Sequence, residues 1–328
     1  MDNLVMVSVF VIAYNQKEYI KQTLDSIISQ RTSFKFEILV NDDCSTDGTR
    51  EIIQQYARTY PQVVFPCYHD ENMYSKGVNI NKEFNYPRAR GKYIAMCEGD
   101  DYWSDDLKLQ SQFDALENNI GCSICVHNTV KITANGTITD KKFPVLHLKD
   151  GILKGNEIIH IELVENPWLF HTSSFFIRKN VYDTFIKQGF VFADKFPVGD
   201  KPLFMFCLIS GDVYYVDKDM SCYRTNSGGV VTKISNDTAK HLEYDKKFIE
   251  GYKAFDAFTR GKYHEDLEFI EKSKMIHSCI LRGEFKKTLN RNYKMAFRKL
   301  KLKYKIAIYV GSMFPEMVKQ LISCRNKK

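Results

Sequence analysis

The chain has 328 residues, 44% hydrophobic and 27% charged, with 8 Pro and 17 Gly. That composition excludes a disordered, collagenous or coiled-coil chain, and the length allows about two or three domains, or one large domain with an appendage. The net charge of +7 is uneven: Arg282 to Lys328 holds 14 Lys and Arg against 2 Asp and Glu, so this segment carries +12 and the rest −5. No apolar run approaches the roughly 20 residues that span a bilayer. The opening run Val5–Ala13 follows Asp2, without a basic flank or a small-residue cleavage site, and does not read as a signal peptide. The nine cysteines are odd in number and mostly sit inside apolar runs. They read as reduced, buried thiols of a cytoplasmic protein, and the lone Cys122/Cys125 pair has no partner pair with which to bind metal.

Strand and helix signals alternate along the first hundred residues. Val5–Ile12 is a β-branched run suited to a strand buried on both faces. Asn15 offers a helix cap with Glu18 three residues on, and Ile20, Leu24, Ile27 and Ile28 follow at helical spacing. Phe36–Val40 is a second strand. Ser45 or Thr46 caps a second helix that buries Ile52, Ile53 and Tyr56. Val63–Cys67 is a third strand, Asn79–Arg88 a helix, and Lys92–Cys97 a fourth strand. Ser104 caps a further helix with Leu109, Phe113 and Leu116 inward. This βα alternation predicts an α/β fold with a mainly parallel sheet flanked by helices. Cys122–Thr133 then reads as a longer strand, and Lys131–Pro167 as an irregular polar excursion. Ser173–Ile177 is a short strand, Lys201–Ile209 a short apolar helix, and Val213–Val216 and Ser221–Arg224 two late strands. From about residue 235 on, the signals are helical. The expected division is an α/β domain over residues 1–232 and a basic helical extension over 233–328.

Ligands of open α/β sheets bind at the carboxyl ends of the strands. After the second predicted strand comes Asn41-Asp42-Asp43-Cys44-Ser45-Thr46-Asp47-Gly48-Thr49, and after the fourth Glu98-Gly99-Asp100-Asp101. Either segment alone reads equally well as a turn. Two acidic turns at one sheet edge repel each other unless a cation or hydrogen-bond donors occupy the space between them. Hard oxygen ligands of this kind suit Mg²⁺ or Mn²⁺. Neither G-x-G-x-x-G after the first strand nor G-x-x-x-x-G-K-[ST] anywhere is present, which removes the main support for dinucleotide and P-loop readings.

Val7–Asn15, Ile38–Thr49 (ILVNDDCSTDGT) and Glu98–Trp103 (EGDDYW) with Leu107–Gln110 resemble the family 2 glycosyltransferases. Within them they resemble a bacterial subgroup that makes surface polysaccharide and lipopolysaccharide. His171–Phe176, Gly199–Phe204 and Met220–Val230 fit the same subgroup, and the resemblance covers about residues 5–232. It implies a GT-A (nucleotide-diphospho-sugar transferase) fold and an inverting, metal-dependent transfer from a nucleotide-sugar donor, expected to be UDP-linked. The acceptor it implies is a hydroxyl of a glycan or lipid-linked glycan. Ala13, Tyr14 and Asn15 would line the nucleobase site, and Asp42 and Asp43 would meet base and ribose. Glu98, Asp100 and Asp101 stand where the family holds Mn²⁺ or Mg²⁺, with Glu98 replacing the commoner Asp. Asp200 matches the catalytic base, and it equally suits a helix N-cap. Arg224 would pair with phosphate or organise its loop. Trp103, His171, Thr172 and Asn226 fall near acceptor or donor sugar. His171 and Trp103, with Trp168, are also candidates for the core.

Leu289, Tyr293, Phe297, Leu300 and Tyr304 recur at helical spacing among Lys and Arg. Residues 286–305 therefore read either as a basic amphipathic helix for an anionic membrane surface or as a helix packed on its own protein. The first alternative makes the protein peripheral on the inner face of the cell membrane. No nucleic-acid recognition module accompanies the charge. Two other readings stand beside the transferase. A nucleotidyltransferase usually opens on a Gly-rich basic loop, which Asn15-Gln16-Lys17 lacks. A non-catalytic sugar-binding relative would not need Asp42, Asp43, Asp100, Asp101 and Asp200 intact.

Overall fold

The computed structural model describes residues 4–165, 168–225, 237–300 and 302–318. Its strands are β1 (Val5–Ala13), β2 (Lys35–Asp42), β3 (Val64–Tyr68), β4 (Tyr93–Glu98), β5 (Tyr102–Trp103), β6 (Cys122–Thr133), β7 (Ile138–Phe143), β8 (Gly151–Leu153), β9 (Phe176–Arg178) and β10 (Asp212–Thr225). They form one sheet in the order β3-β2-β1-β4-β9-β6-β10-β5, with β7 on β6 and β8 on β10. The first four strands run parallel. The sheet turns antiparallel at β9, which pairs with both β4 and β6, and is parallel again between β6 and β10. Val7, Val9 and Val11 on one face of β1 and Ser8 and Phe10 on the other are buried, as a strand covered on both faces requires.

Three helices pack on the sheet: α1 (Ile20–Ile28), α2 (Thr49–Thr59), which lies on β2 and β3, and α3 (Lys108–Asn118), which lies on β6, β9 and β10. In α1, Ile20, Leu24 and Ile27 are fully buried at helical spacing, and each contributes about 1.5–3 kcal/mol. The helix starts differ from expectation. α1 begins at Ile20 after Tyr19, with no side-chain cap, and Asn15 instead turns at φ 51° and binds the neighbouring loop. α2 follows Gly48 at φ 105°, and the Asp47 carboxylate, not Ser45 or Thr46, accepts the Thr49 N–H. Before α3, Asp105 rather than Ser104 accepts the first free N–H, that of Leu107. In each loop a carboxylate or a left-handed turn took over the task because the expected cap lies too far upstream of the first helical turn.

Other differences follow from packing. Residues 81–88 wind as a π turn and a 3₁₀ turn, not an α-helix. The polar stretch after Lys131 is not irregular: it holds β7, β8 and α4 (Gly155–His160). β7 is mostly exposed, so it lacks the apolar alternation that marks a strand. The two expected late strands are one, β10, whose pairing with β6 shifts register between Val216 and Ser221. The polar residues at that irregularity break the apolar run without ending the strand.

The remaining helices are α5 (Lys179–Thr184), α6 (Phe190–Ala193), α7 (Asp200–Ser210), α8 (Thr238–Phe258), α9 (His264–Arg282), α10 (Lys294–Lys299) and α11 (Leu302–Met313). The chain sorts into two compact units. One holds the chain up to Glu162, the stretch ending at Gly189, and Leu203–Thr225. The other holds Leu163–Glu165, Phe190–Pro202 and the chain after Thr225. In the second unit Phe192, Phe196, Phe248, Tyr252 and Phe255 form an aromatic cluster. Ile276, Ile280, Phe285, Ala296, Ile308 and Val318 form a satellite core.

The expected single amphipathic helix over 286–305 is broken. It consists of two 3₁₀ turns (Phe285–Leu289 and Arg291–Tyr293), α10, an extended residue at Leu300, and the start of α11. Tyr293, Phe297 and Leu300 pack against the satellite core, so their burial, not a continuous membrane-facing stripe, explains their spacing. No helix among the described residues is long and apolar enough to cross a membrane.

Candidate active site

Strand register brings the acidic turns together. Ala13 at the end of β1 pairs with Asp42 of β2, and Ile12 pairs with Glu98 of β4. The chain continues the ladder past the strand ends: Asp43 N–H donates to Ala13 O, and Gly99 N–H to Ile12 O, both at 2.9 Å. Three adjacent carboxyl ends therefore open on one sheet edge, as ligand sites in such sheets do.

The loops after β1 and β2 are laced to each other. Asn15 N–H donates to Ser45 Oγ and Thr46 N–H to Asn15 Oδ1; Gln16 N–H donates to Thr49 Oγ1 and Lys17 N–H to Asp47 Oδ2. Ala13 is buried beneath them, whereas Tyr14 is 49% exposed. Asp42 is fully buried: Oδ2 pairs with Arg50 Nε at 2.7 Å, and Oδ1 has no partner. Asp43 uses its carboxylate to hold the next segment, accepting the N–H groups of Met73 (2.6 Å) and Tyr74 (3.1 Å).

The 98–101 turn is held from four sides. Asp101 N–H closes it onto Glu98 O at 3.0 Å. Thr23 Oγ1 lies 2.9 Å from Gly99 O and 2.6 Å from Asp101 O. A Cβ on Gly99 would overlap Gln16 Oε1 and lie 2.9 Å from Ile12 O, so only glycine fits there. On the fourth side stands Arg224, 4% exposed at the end of β10. Its backbone N–H donates to Asp101 Oδ1. Its guanidinium donates to Asp100 O, Ala134 O and Gln22 Oε1, and it stacks 4.5 Å over Tyr19. These contacts brace the 98–101 turn, and the loop that Arg224 was expected to organise lies mostly outside the described residues.

Asp101 is 1% exposed, and its second oxygen, Oδ2, has no hydrogen-bond partner. Burial first, and the Asp100 charge second, push its carboxyl well above the usual range. A buried, unpartnered carboxylate oxygen beside two further acids is a donor set that a divalent cation fits. The three acids do not gather into a closed protein cage; among the described residues the one triad of that kind lies elsewhere, at His241, Asp245 and His277. Mg²⁺-type sites need only one or two carboxylates, the remaining ligands being substrate phosphates and water.

The expected sugar-side residues separate. His171 precedes a 3₁₀ turn (Thr172–Ser174), and its Nδ1 accepts the Ser173 N–H. It lies 3.7 Å from Asp101 Oδ2 and 4.3 Å, ring to ring, from Tyr223. Burial, with Lys131 nearby, lowers its pKa to about 3, so it is neutral at physiological pH. His171 thus touches the acid turn and is core-like at once, and Thr172 is buried beside it. Trp103 is a correction: at 4% exposure, covered by the Lys108 ammonium 4.0 Å above its ring, it presents no face to a sugar. Its apolar bulk is used to seat β5 in the core. Trp168 turns at φ 68°, with its N–H on Glu162. Asp200 opens α7 in the second unit, and its Oδ1 accepts the Lys201 N–H. Asn226 lies outside the described residues. Cys122 and Cys125 are buried strand residues whose thiols burial pushes up, as inert core cysteines require.

Three supporting residues were missed. Thr23 and Gln16 sat in a helical face and a loop, where a polar residue looks ordinary. Lys108 is fully buried, donates to Gln112 Oε1, and has its pKa lowered by burial to about 7. Its place one turn before Gln112, beside the apolar residues Leu109, Ala115 and Leu116, was the available signal.

The parallel half-sheet with acidic turns at its carboxyl edge is the GT-A arrangement of nucleotide-sugar enzymes. A family model for glycosyl transferase family 2 matches residues 8–184, and the chain belongs to that family. A Mycobacterium tuberculosis protein is 32% identical over 236 residues, covering 72% of this chain; the alignment spans 63% of that relative's length. TuaG of Bacillus subtilis, to which a glycosyltransferase role in teichuronic acid biosynthesis is attributed, is 33% identical over 136 residues, 42% of this chain and 51% of TuaG. The crystal structure of residues 1–349 of S. aureus TarS in complex with UDP-GlcNAc matches with a TM-score of 0.57 at 15% identity, over 97% of this chain and 90% of that one. At that identity the likeness shows the fold.

Proposed function

We propose that this chain is an inverting, metal-dependent glycosyltransferase. It moves a sugar from a UDP-linked donor to a hydroxyl of a surface glycan or lipid-linked glycan. The observation that carries the reading is the acid turn at Glu98–Asp101, built against the strand ends with one buried carboxylate oxygen left unpartnered. UDP-GlcNAc bound to TarS and the polysaccharide role attributed to TuaG support the donor and the product class. The unbridged state of the eight described cysteines supports a cytoplasmic setting.

In this reading Tyr14 and Asn15 flank the nucleobase, on a floor formed by Ala13. Arg50 holds the Asp42 carboxylate in place at 2.7 Å, and Asp43 fixes the 72–74 segment beside the ribose. Asp100 and Asp101, with Glu98, would hold Mg²⁺ or Mn²⁺, which when bound neutralises charge on the leaving diphosphate. Arg224 and Thr23 keep the turn in place for it. Neutral His171 sets the wall behind Asp101. Asp200 takes the proton of the acceptor hydroxyl as that oxygen attacks the anomeric carbon from the side opposite the diphosphate, which inverts the configuration there.

Calorimetric titration with UDP and GDP, with and without Mn²⁺, tests the reading. UDP binding that needs Mn²⁺ and disappears in Asp100→Ala is the expected result. Asp200→Asn should retain that binding and lose transfer. Full turnover in Asp200→Asn would remove the base assignment. Binding without turnover in the wild-type protein, for any sugar or acceptor tried, would favour a non-catalytic member of the family.

A further inference from the structure

In the second unit, α8 and α9 pack side by side and bring three metal-ligating side chains together. His241 and Asp245 lie one turn apart on α8, and His277 comes from α9. Asp245 Oδ2 is 3.2 Å from His277 Nδ1 and 3.7 Å from His241 Nε2, and one ligand atom from each of the three residues lies within 4.8 Å of the others. A tetrahedral Zn²⁺ with bonds of about 2.0–2.1 Å needs donor atoms about 3.3–3.4 Å apart. Two edges of that tetrahedron, at 3.2 and 3.7 Å, are nearly formed, and the imidazole–imidazole edge lies within 4.8 Å. The 3.2 Å edge is itself a hydrogen bond between Asp245 and His277, but the 3.7 Å edge is too long for one, so hydrogen bonding accounts for one edge of the cluster and not the other.

We propose that His241, Asp245 and His277 bind one Zn²⁺, which clips α8 to α9. Two imidazoles and one carboxylate suit zinc and ill suit Mg²⁺ or Ca²⁺, which take oxygen ligands. Lys274 Nζ holds Asp245 Oδ1 at 2.6 Å, which orients the carboxylate and leaves Oδ2 as the single donor. Asp245 is 5% exposed, while His241 and His277 are 31% and 38% exposed at the side chain, so water can complete the fourth position. The site is independent of the transferase reading.

The test uses the full chain, stripped with a chelator and titrated with Zn²⁺ against a chromogenic competitor. One equivalent should bind and raise the Tm. His241→Asn and His277→Asn should each weaken binding by at least the ~100-fold that losing even an outer-shell partner can cost. Asp100→Ala should bind zinc as the wild type does, which separates this site from the acid turn. Co²⁺ on the wild-type protein should give the intense visible bands of four-coordinate metal, a readout that needs no variant to fold. Absence of stoichiometric zinc binding, zinc binding unchanged in both histidine variants, or a six-coordinate Co²⁺ spectrum would overturn the proposal.

Discussion

Gly99→Ala tests whether the acid turn is held by close backbone approach. The added Cβ would overlap Gln16 Oε1, sit 2.9 Å from Ile12 O and 3.1 Å from Ala13 Cβ. Gln16 can swing aside. Ile12 cannot, because it is paired in register with Asn41 on one side and Glu98 on the other. Comfortable C···O contact begins near 3.3 Å, so the turn must retreat by about 0.4 Å. Overpacking of this kind costs about 1–3 kcal/mol. A shift of that size in two carboxylates should weaken Mn²⁺-dependent nucleotide binding roughly tenfold, given that misplacement by about 1 Å can cost 100-fold. Urea unfolding and calorimetric UDP titration read the two effects. The double variant with Gln16→Ala should recover only part of either, since the Ile12 carbonyl remains. Stability within about 0.5 kcal/mol of wild type, with unchanged nucleotide affinity, would refute the argument.

Three further outcomes follow from named contacts. Arg224→Met leaves Asp100 O, Ala134 O and Gln22 Oε1 without their donor, and should cost about 3–5 kcal/mol in urea unfolding, with Arg224→Lys recovering less than half. Lys108 has a folded pKa of about 7 against 10.5 for an unperturbed lysine, so the unfolded chain holds the extra proton between those values. Stability should therefore rise with pH across that window, and Lys108→Met should flatten the rise in unfolding curves recorded at pH 7 and 10. Asp101 has its carboxyl raised in the folded state, so without metal its ionisation opposes folding as pH rises above the ordinary aspartate range. Asp101→Asn should thus stabilise the metal-free protein at pH 7, by thermal melting, and abolish any stabilisation by Mn²⁺.

The parallel half of the sheet was legible because each of β1, β2 and β4 is a short, mainly apolar run ended by turn residues. The acidic turns could then be placed on one edge by topology alone. What periodicity could not show was how polar side chains are shared. Asp47 and Asp105 became the acceptors at the starts of α2 and α3 because they stand nearer the first free N–H than the residues chosen from preference. β7 was invisible because an exposed strand lacks an apolar face. Arg224 and Trp103 looked like ligand contacts because charge and aromaticity are what sites use, yet burial and partner geometry, which no sequence pattern carries, turn both inward. The 289–304 stripe read as one helix because its spacing is helical across a break at Leu300 that no Pro or Gly announces.

The lacing between the loops after β1 and β2 has a thermodynamic consequence. Four hydrogen bonds between residues 15–17 and 45–49 fix the backbone of both loops in the absence of any ligand. Ordering a loop on binding costs roughly 0.5–1.5 kcal/mol for each immobilised side chain, and here much of that ordering precedes the ligand. As the base-side wall of the proposed donor site, these loops would act as a rigid ruler, taking a nucleotide with little entropy loss and discriminating by shape, not by adaptation.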